Sequence, residues 1–297
     1  MNRGQAGDGT VVLEGGRRLG YRLRGNLDGP VIVYLHGSPG SRVEGGFFTD
    51  EELRAAGVSM LALERPGYGL SDPVSDVDLP ARASEVIQAC DLLGVGSFVV
   101  GGTSGGGTYT LAVAAAASDR VAAAVTIAGQ ARLDTPWAMD GMPPERAAEF
   151  ASTDVEADRR DCDEEVATLA VPADEALTVW ESWFEGFPDD EIAFVRAAGD
   201  VFVEDGHEAS RRGGHGYWID GMTRAMPWPF TASELTMPVH VFHGLADTWN
   251  PCRALLKDLD GAPQLTTTLY AGGNHLSPLI SSERRMAILY TAHTAFT

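Results

Sequence analysis

The stretch "VVGGTSGGGTYTLAVAAA", residues 99–116, places one serine, Ser104, among five glycines. Glycine loses more conformational freedom on folding than any other residue, so this density needs a local reason. A dinucleotide-binding loop requires glycines at positions i, i+2 and i+5, and a phosphate-binding loop requires Lys-Ser/Thr after its last glycine; the stretch has neither. The pattern that fits is G-x-S-x-G over residues 102–106. It predicts a sharp turn between a strand and a helix, with the serine at its tip.

Around this turn, short apolar runs alternate with longer helical patterns. Alternating strands and helices are typical of an α/β fold. The apolar runs are "VIVYLHG" (31–37), "VSMLALER" (58–65), "SFVVGG" (97–102), "VAAAVTIAG" (121–129), "MPVHVFHG" (237–244) and "LTTTLYAGG" (265–273). The helical patterns fall near 79–93, 105–118, 251–260 and 281–295, and "TVVLEGGRRLGYRLRG" (10–25) predicts an opening hairpin with a Gly-Gly turn. Most of the apolar runs lack polar alternation, as expected for parallel strands covered on both faces. We therefore predict a mostly parallel, doubly wound sheet.

The charge is concentrated in one segment of the chain. The net charge is −20, and residues 131–235 hold 24 acidic against 8 basic residues, compared with 18 against 14 elsewhere. The strand pattern also stops within this segment and is replaced by a helical one. We predict a core made of residues 1–130 and 236–297, interrupted by a helical acidic insertion at 131–235. Runs such as "DVEADRRDCDEEV" put acids on nearly every side of a helix, so we expect most of them to face water.

Composition also narrows the class of function. The acidic balance argues against nucleic acid or an anionic membrane surface as a partner. Three well-separated cysteines, no apolar leader and no membrane-length apolar run favour a cytoplasmic protein with reduced thiols. We find no spacing typical of a metal site and expect no metal and no cofactor, with a small molecule as substrate. The oligomeric state stays open.

Three chemically capable residues each follow a predicted strand. Ser104 follows "SFVVGG", Asp247 lies in "HGLADTWNP" after the strand at 237–244, and His275 lies in "GGNH" after the strand at 265–273. The carboxyl ends of parallel strands meet at one edge of a sheet, where ligands bind. We therefore predict a Ser-His-Asp arrangement. Asp134, which follows another strand, is the alternative acid, and Asp247 is favoured because only a short turn separates it from its strand.

A serine nucleophile also needs N–H groups that stabilise an oxyanion. Gly105, directly after the nucleophile, would supply one at the start of the following helix. The loop after the strand at 31–37 reads His36-Gly37-Ser38-Pro39-Gly40, and Ser38 occupies the place from which a second backbone N–H can point at the site. We predict Ser38 and Gly105 as the oxyanion hole.

The motifs together resemble the α/β-hydrolase fold superfamily, specifically its cap-bearing small-molecule hydrolases. They are, in chain order, "LHGSPGSR", "ERPGYGLSD", "GGTSGGG", "PWPF", "HGLADTWNP" and "GGNH", and the resemblance runs from about residue 20 to the end. It implies a Ser104–His275–Asp247 triad, a Ser38/Gly105 oxyanion hole and a cap, or lid, over 131–235. Members with an aspartate nucleophile, the haloalkane dehalogenases and epoxide hydrolases, are disfavoured by Ser104.

The resemblance leaves the substrate open. The expected reaction is hydrolysis of an ester, lactone, thioester or amide through an acyl-enzyme. The alternatives are an aminopeptidase of the proline iminopeptidase type, whose acidic cap would hold an amine, a lyase or cyclase, or a small-molecule receptor on the same scaffold. The pocket would be shaped by cap side chains, and the tryptophan candidates are Trp137, Trp180, Trp183, Trp218 and Trp249.

Overall fold

The computed structural model describes residues 6–150 and 154–296 of the chain. The strands are β1 (Gly7–Val12), β2 (Arg18–Gly25), β3 (Val31–Leu35), β4 (Ser59–Leu63), β5 (Phe98–Thr103), β6 (Val121–Ile127), β7 (Val239–Gly244) and β8 (Leu265–Tyr270). They form one sheet in the order β1-β2-β4-β3-β5-β6-β7-β8. The first two pairings of that order are antiparallel and all the others are parallel. The predicted fold class, a mostly parallel α/β sheet, is confirmed.

The central strands are buried on both faces. Along β3, Val33 and Leu35 belong to one apolar cluster, whereas Ile32 and Tyr34 belong to a second cluster. Successive side chains of a strand point to opposite faces, so these clusters are the two cores that flank the sheet. The absence of polar alternation in the sequence of this strand is the direct consequence of this double coverage.

The helices are α1 (Asp50–Ala55), α2 (Leu79–Leu92), α3 (Gly106–Ala116), α4 (Pro144–Phe150), α5 (Val155–Ala167), α6 (Ala173–Trp183), α7 (Asp189–Ala197), α8 (Gly199–Ser210), α9 (His215–Arg224), α10 (Cys252–Asp258) and α11 (Ser282–Thr294). The helices α2, α3, α10 and α11 fall where the sequence predicts them. Asp78 caps α2 by accepting the Ala81 N–H, and Pro80 occupies its first turn, where the missing N–H costs nothing.

Helices α4–α9 all lie between β6 and β7, in the acidic segment 131–235. Among its described residues, three acidic side chains are buried: Glu191 on α7, Asp205 on α8 and Asp220 on α9. The expectation that most of the acids face water therefore holds, and these three are the exceptions. No helix in the described part of the chain combines the length and the apolar character needed to cross a membrane.

Candidate active site

The turn at Ser104 has the strained geometry that the glycine-rich pattern predicts. Ser104 lies between β5 and α3 with φ 53°, a left-handed conformation that is unusual for a residue other than glycine. Its N–H donates to the Ile127 carbonyl at 2.9 Å. A Cβ on Gly102 would lie 2.6 Å from Thr110 Oγ1, and one on Gly106 would overlap the carbonyl of Leu35. Both glycines are therefore required by close packing around the turn.

Asp247 and His275 are brought together at the same edge of the sheet. Asp247 Oδ2 lies 2.9 Å from His275 Nδ1 and 3.1 Å from His243 Nε2, and the carboxylate is almost completely buried. Its other oxygen accepts the N–H groups of Trp249 and Asn250, both at 2.9 Å. Burial alone would raise the pKa of Asp247, but the charge interaction with His275 and the hydrogen bonds of both histidines outweigh it and lower that pKa. Asp247 is therefore held as an anion against the imidazole.

Ser104 Oγ interacts with an amide that the sequence reasoning missed. Asn250 Nδ2 donates to Ser104 Oγ at 3.3 Å and to the Ala128 carbonyl at 2.9 Å. No hydrogen bond joins Ser104 Oγ to His275 in the part of the chain that the structure describes. Asp247 thus contacts His275 directly. The residue that contacts the serine hydroxyl is Asn250, three positions after Asp247.

The alternative acid, Asp134, is paired elsewhere. Its carboxylate accepts two hydrogen bonds from the Arg132 guanidinium, at 2.9 and 2.7 Å. The hydrogen bond with Arg132 is the main cause that lowers the pKa of Asp134. Asp134 makes no hydrogen bond with His275, so the carboxylate partner of the histidine is Asp247.

Ser38 and Gly105 face each other beside the serine. A Cβ on Gly105 would lie 2.5 Å from Ser38 Oγ, so a larger residue here would displace the Ser38 side chain. Neither the Ser38 N–H nor the Gly105 N–H donates to an acceptor within residues 6–150 and 154–296. Both N–H groups are thus free of protein acceptors among these residues.

The Ser38 loop is fixed by a buried carboxylate of α9, Asp220. Its oxygens accept five hydrogen bonds. The donors are Ser38 Oγ (2.5 Å), Arg65 Nε (2.9 Å), Arg65 Nη2 (3.0 Å), Tyr68 Oη (3.2 Å) and Tyr109 Oη (2.6 Å). Arg65 also donates to the carbonyls of His36 and Gly37. Burial opposes ionisation of Asp220, but the charges of Arg65 and Arg224 lower its pKa overall. Arg65 and Asp220 were not singled out from the sequence.

The His275 loop is fixed by a second buried acid, Glu191 of α7. Its Oε1 accepts the Asn274 N–H at 2.6 Å, and its Oε2 accepts the Leu276 N–H at 2.8 Å. The two N–H groups flank His275 on both sides. Burial is the main cause that raises the pKa of Glu191, and the two N–H groups partly oppose it.

A third buried carboxylate, Glu44, lies against the Ser38 loop. Its Oε2 accepts the Gly37 N–H at 2.7 Å, and its Oε1 accepts the Tyr34 hydroxyl at 2.6 Å. Burial raises the pKa of Glu44 to about 7, against the hydrogen bonds from Tyr34 and Gly37. Nearby, Asp205 of α8 accepts the N–H and the hydroxyl of Ser41 at 2.9 and 2.6 Å.

Aromatic side chains cover the histidine. The Trp249 ring lies 5.0 Å from the His275 ring, centre to centre, and stacks on Phe184 at 5.0 Å. Phe187 meets Trp249 edge-on at 5.2 Å. Of the tryptophan candidates, Trp249 therefore lies at the site, whereas Trp137 donates to Asp258 on α10. Among the described residues no three His, Cys, Asp or Glu side chains are grouped as a metal site would require.

The family model that describes the alpha/beta hydrolase fold matches residues 30–194. This is more than half of the chain, and it includes the turn at Ser104 and the Ser38 loop. The chain belongs to the alpha/beta hydrolase fold family.

Individual relatives are more distant. The non-heme chloroperoxidase of Streptomyces lividans is 32% identical over 151 residues, which are 48% of this chain and 52% of that protein. The chain thus spans about half the length of this curated relative.

Three solved structures share the fold over nearly their whole length. A thermophilic esterase from Thermogutta terrifontis is 19% identical, with a TM-score of 0.71 over 98% of this chain and 100% of that one. An esterase from Rhodococcus sp. ECU1013 is 19% identical, with a TM-score of 0.67 over 98% and 99%. The enol-lactonase from Burkholderia xenovorans is 19% identical, with a TM-score of 0.66 over 97% and 99%. At such identities the likeness is one of fold.

Proposed function

We propose that this chain is a serine hydrolase that cleaves an ester, lactone, thioester or amide bond of a small molecule through an acyl-enzyme. The observation that carries the proposal is the 2.9 Å contact between Asp247 Oδ2 and His275 Nδ1, at the sheet edge where Ser104 occupies its strained turn. Ser104 is the nucleophile, His275 the general base and Asp247 the group that orients the histidine.

In this mechanism the Nδ1–H of His275 donates to Asp247, which leaves Nε2 as the base. Nε2 takes the Ser104 proton as Oγ attacks the substrate carbonyl, and the buried Asp247 anion stabilises the imidazolium that forms. The 3.3 Å hydrogen bond from Asn250 to Ser104 Oγ is long, so little is lost when Oγ turns to His275 with substrate bound. His275 then protonates the leaving group, and water releases the acyl group by the same steps.

The N–H groups of Ser38 and Gly105 stabilise the tetrahedral intermediate. A single donor of this kind is worth about 3–4 kcal/mol in the transition state. Asp220 and Arg65 hold the Ser38 loop in place, so the donor position does not depend on a mobile loop.

The segment 131–235 acts as a cap. It supplies Phe184 and Phe187 above Trp249 and His275, and its buried acids bond to the loops of the core. Apolar side chains around a few polar groups are the usual lining of a small-molecule site.

The aminopeptidase alternative requires a cap carboxylate that is free to bind an amine. Asp220, Asp205 and Glu191, the buried acids among the described residues of the segment, each already accept hydrogen bonds from core loops. These contacts leave none of the three buried acids free to bind an amine.

The test is a panel of p-nitrophenyl esters of increasing acyl length, run beside aminoacyl-naphthylamides. We expect turnover of the short esters, at least a thousandfold lower in Ser104→Ala, and no comparable release of naphthylamine. Equal ester turnover by the alanine variant would refute the proposal, and Ser104-dependent release of naphthylamine alone would favour the aminopeptidase.

A further inference from the structure

Arg224, the last residue of α9, lies directly against the turn at Ser104. Its side chain is 8% exposed. A Cβ on Gly105 would lie 3.0 Å from Arg224 Cδ and 3.1 Å from Arg224 Nε. The stem and the guanidinium of Arg224 therefore occupy the space beside the residue that follows the serine.

The guanidinium is incompletely hydrogen-bonded. Its Nη1 donates to Gln130 Oε1 at 2.5 Å, and Gln130 in turn donates its N–H to the Ser104 carbonyl at 3.1 Å. Its Nε is buried without a hydrogen-bond acceptor, and its Nη2 makes no hydrogen bond with any described residue. A buried donor without an acceptor is costly, and it needs an explanation in the function of the site.

The charge of Arg224 is also incompletely balanced. The nearest carboxylate is Asp220, whose Oδ2 lies 3.6 Å from Arg224 Nε, but Asp220 is already neutralised by the two-pronged contact with Arg65. Two further carboxylates lie near the serine: Asp247 is engaged by two histidines, and Glu44 accepts hydrogen bonds from Tyr34 and Gly37. Two guanidinium groups thus share Asp220, and among the described residues Arg224 has no carboxylate partner that it does not share with Arg65.

We propose that Arg224 binds a carboxylate of the substrate, close to the bond that is cleaved, so that the preferred substrates are half-esters or lactones of short dicarboxylic acids. A guanidinium pairs with a carboxylate through charge-assisted hydrogen bonds, and Nη2 supplies the unused donor. The carboxylate of the substrate would neutralise the positive charge of Arg224 that Asp220, shared with Arg65, does not. This inference rests on the proposed function, and it assigns a negative charge to the substrate although the surrounding segment is strongly acidic.

The kinetic test compares esters that differ only at the end of the acyl chain. They are ethyl butanoate, monoethyl succinate and ethyl 4-(trimethylammonio)butanoate. The rate of hydrolysis of each ester is measured from the acid that it releases at constant pH. We expect kcat/KM for the half-ester to exceed that for ethyl butanoate by at least tenfold, with the cationic ester slowest. Arg224→Gln should remove this preference, because it should raise KM for the half-ester at least tenfold more than KM for ethyl butanoate. Arg224→Lys should keep part of the preference. Arg211→Gln, which removes an exposed arginine at the end of α8, should keep all of it.

Two results would overturn the inference. One is a wild-type enzyme without preference for the half-ester. The other is an equal loss of kcat for all esters in Arg224→Gln, which would mean that Arg224 acts on the oxyanion instead.

A binding measurement separates this inference from the proposed function. Titration calorimetry of Ser104→Ala with succinate needs no turnover. Binding that Arg224→Gln weakens at least tenfold in the same background supports the carboxylate site even if no ester is cleaved. Binding that is absent, or indifferent to this substitution, contradicts it even if esters are cleaved. Thermal unfolding of each variant shows whether the fold is intact.

Discussion

Arg65 Nε donates to Asp220 Oδ1 at 2.9 Å, and this contact joins the loop after β4 to helix α9 across 155 positions of the chain. Among the described residues of the acidic segment, three buried carboxylates make connections of this kind to the core. Glu191 of α7 holds the backbone on both sides of His275, and Asp205 of α8 holds Ser41. In each case a buried carboxylate of the segment accepts donors of a loop that borders the candidate site. The segment is thus tied to the core by hydrogen bonds at the positions where geometry matters for the proposed reaction.

Asp220→Asn tests the first of these connections. The substitution leaves two buried guanidinium groups without an anion, and breaking a buried ion pair on one side costs about 3–5 kcal/mol. We expect the free energy of unfolding, measured with urea, to fall by roughly that amount. Asp200→Asn, an exposed acid on α8, serves as the control and should change it by less than about 0.5 kcal/mol. Equal curves for the two variants would show that Asp220 contributes no more than a surface acid.

Glu191→Gln tests whether this residue positions His275. The amide turns one acceptor into a donor, so either the Asn274 or the Leu276 N–H loses its partner and the histidine loop shifts. Because small displacements of catalytic groups are costly, we expect kcat to fall about tenfold or more while KM stays within about threefold. Glu185→Gln, which changes an exposed acid in the turn after α6, should leave both constants unchanged. A lower melting temperature with an unaltered kcat would reduce Glu191 to a purely structural role.

Glu44 predicts a specific dependence of stability on pH. Its pKa rises from 4.5 to about 7 on folding, so the folded state keeps a proton that the unfolded state has lost. The contribution of Glu44 is therefore complete below pH 4.5 and is lost as the pH rises towards 7, by at most about 1.4 kcal/mol per pH unit. The free energy of unfolding of wild type, relative to Glu44→Gln, should fall across this window and level off above it. Parallel pH curves for the two proteins would contradict the raised pKa.

Asp247→Asn tests the assignment of the acid. The amide can no longer hold the histidine in the required tautomer, so we expect kcat to fall about a thousandfold to ten-thousandfold. Asp134→Asn removes the alternative acid, which is paired with Arg132, and should change kcat by less than about threefold. The reverse ranking would assign the role to Asp134.

The sequence predicts the framework of the site because its key residues follow strands. Ser104, Asp247 and His275 each come after an apolar run, and parallel strands deliver such residues to one edge of the sheet. The glycines at 102 and 106 are also evident from the sequence, since a side chain at either position would overlap backbone atoms in the folded turn. Such features depend on neighbouring residues and can therefore be recognised in the sequence.

The supporting residues leave no such pattern. Glu191 binds backbone N–H groups, which every residue carries, and its partner Leu276 lies 85 positions away. Within its segment it is one acid among 24, and only the packing of α7 against the His275 loop makes it different. Asn250 follows the same strand as Asp247. Only the folded conformation of the turn after that strand brings the Asn250 amide to Ser104. Contacts set by tertiary packing therefore had to come from the structure.

The central claim, that Ser104 is the nucleophile, is tested most directly by covalent labelling. The native protein is treated with a fluorophosphonate, its intact mass is measured, and the modified peptide is mapped. We predict one adduct per chain, on Ser104, none on Ser104→Ala, and a full adduct on the control Ser233→Ala, which removes an exposed serine. An adduct on another residue, or labelling of Ser104→Ala at the wild-type rate, would contradict the account.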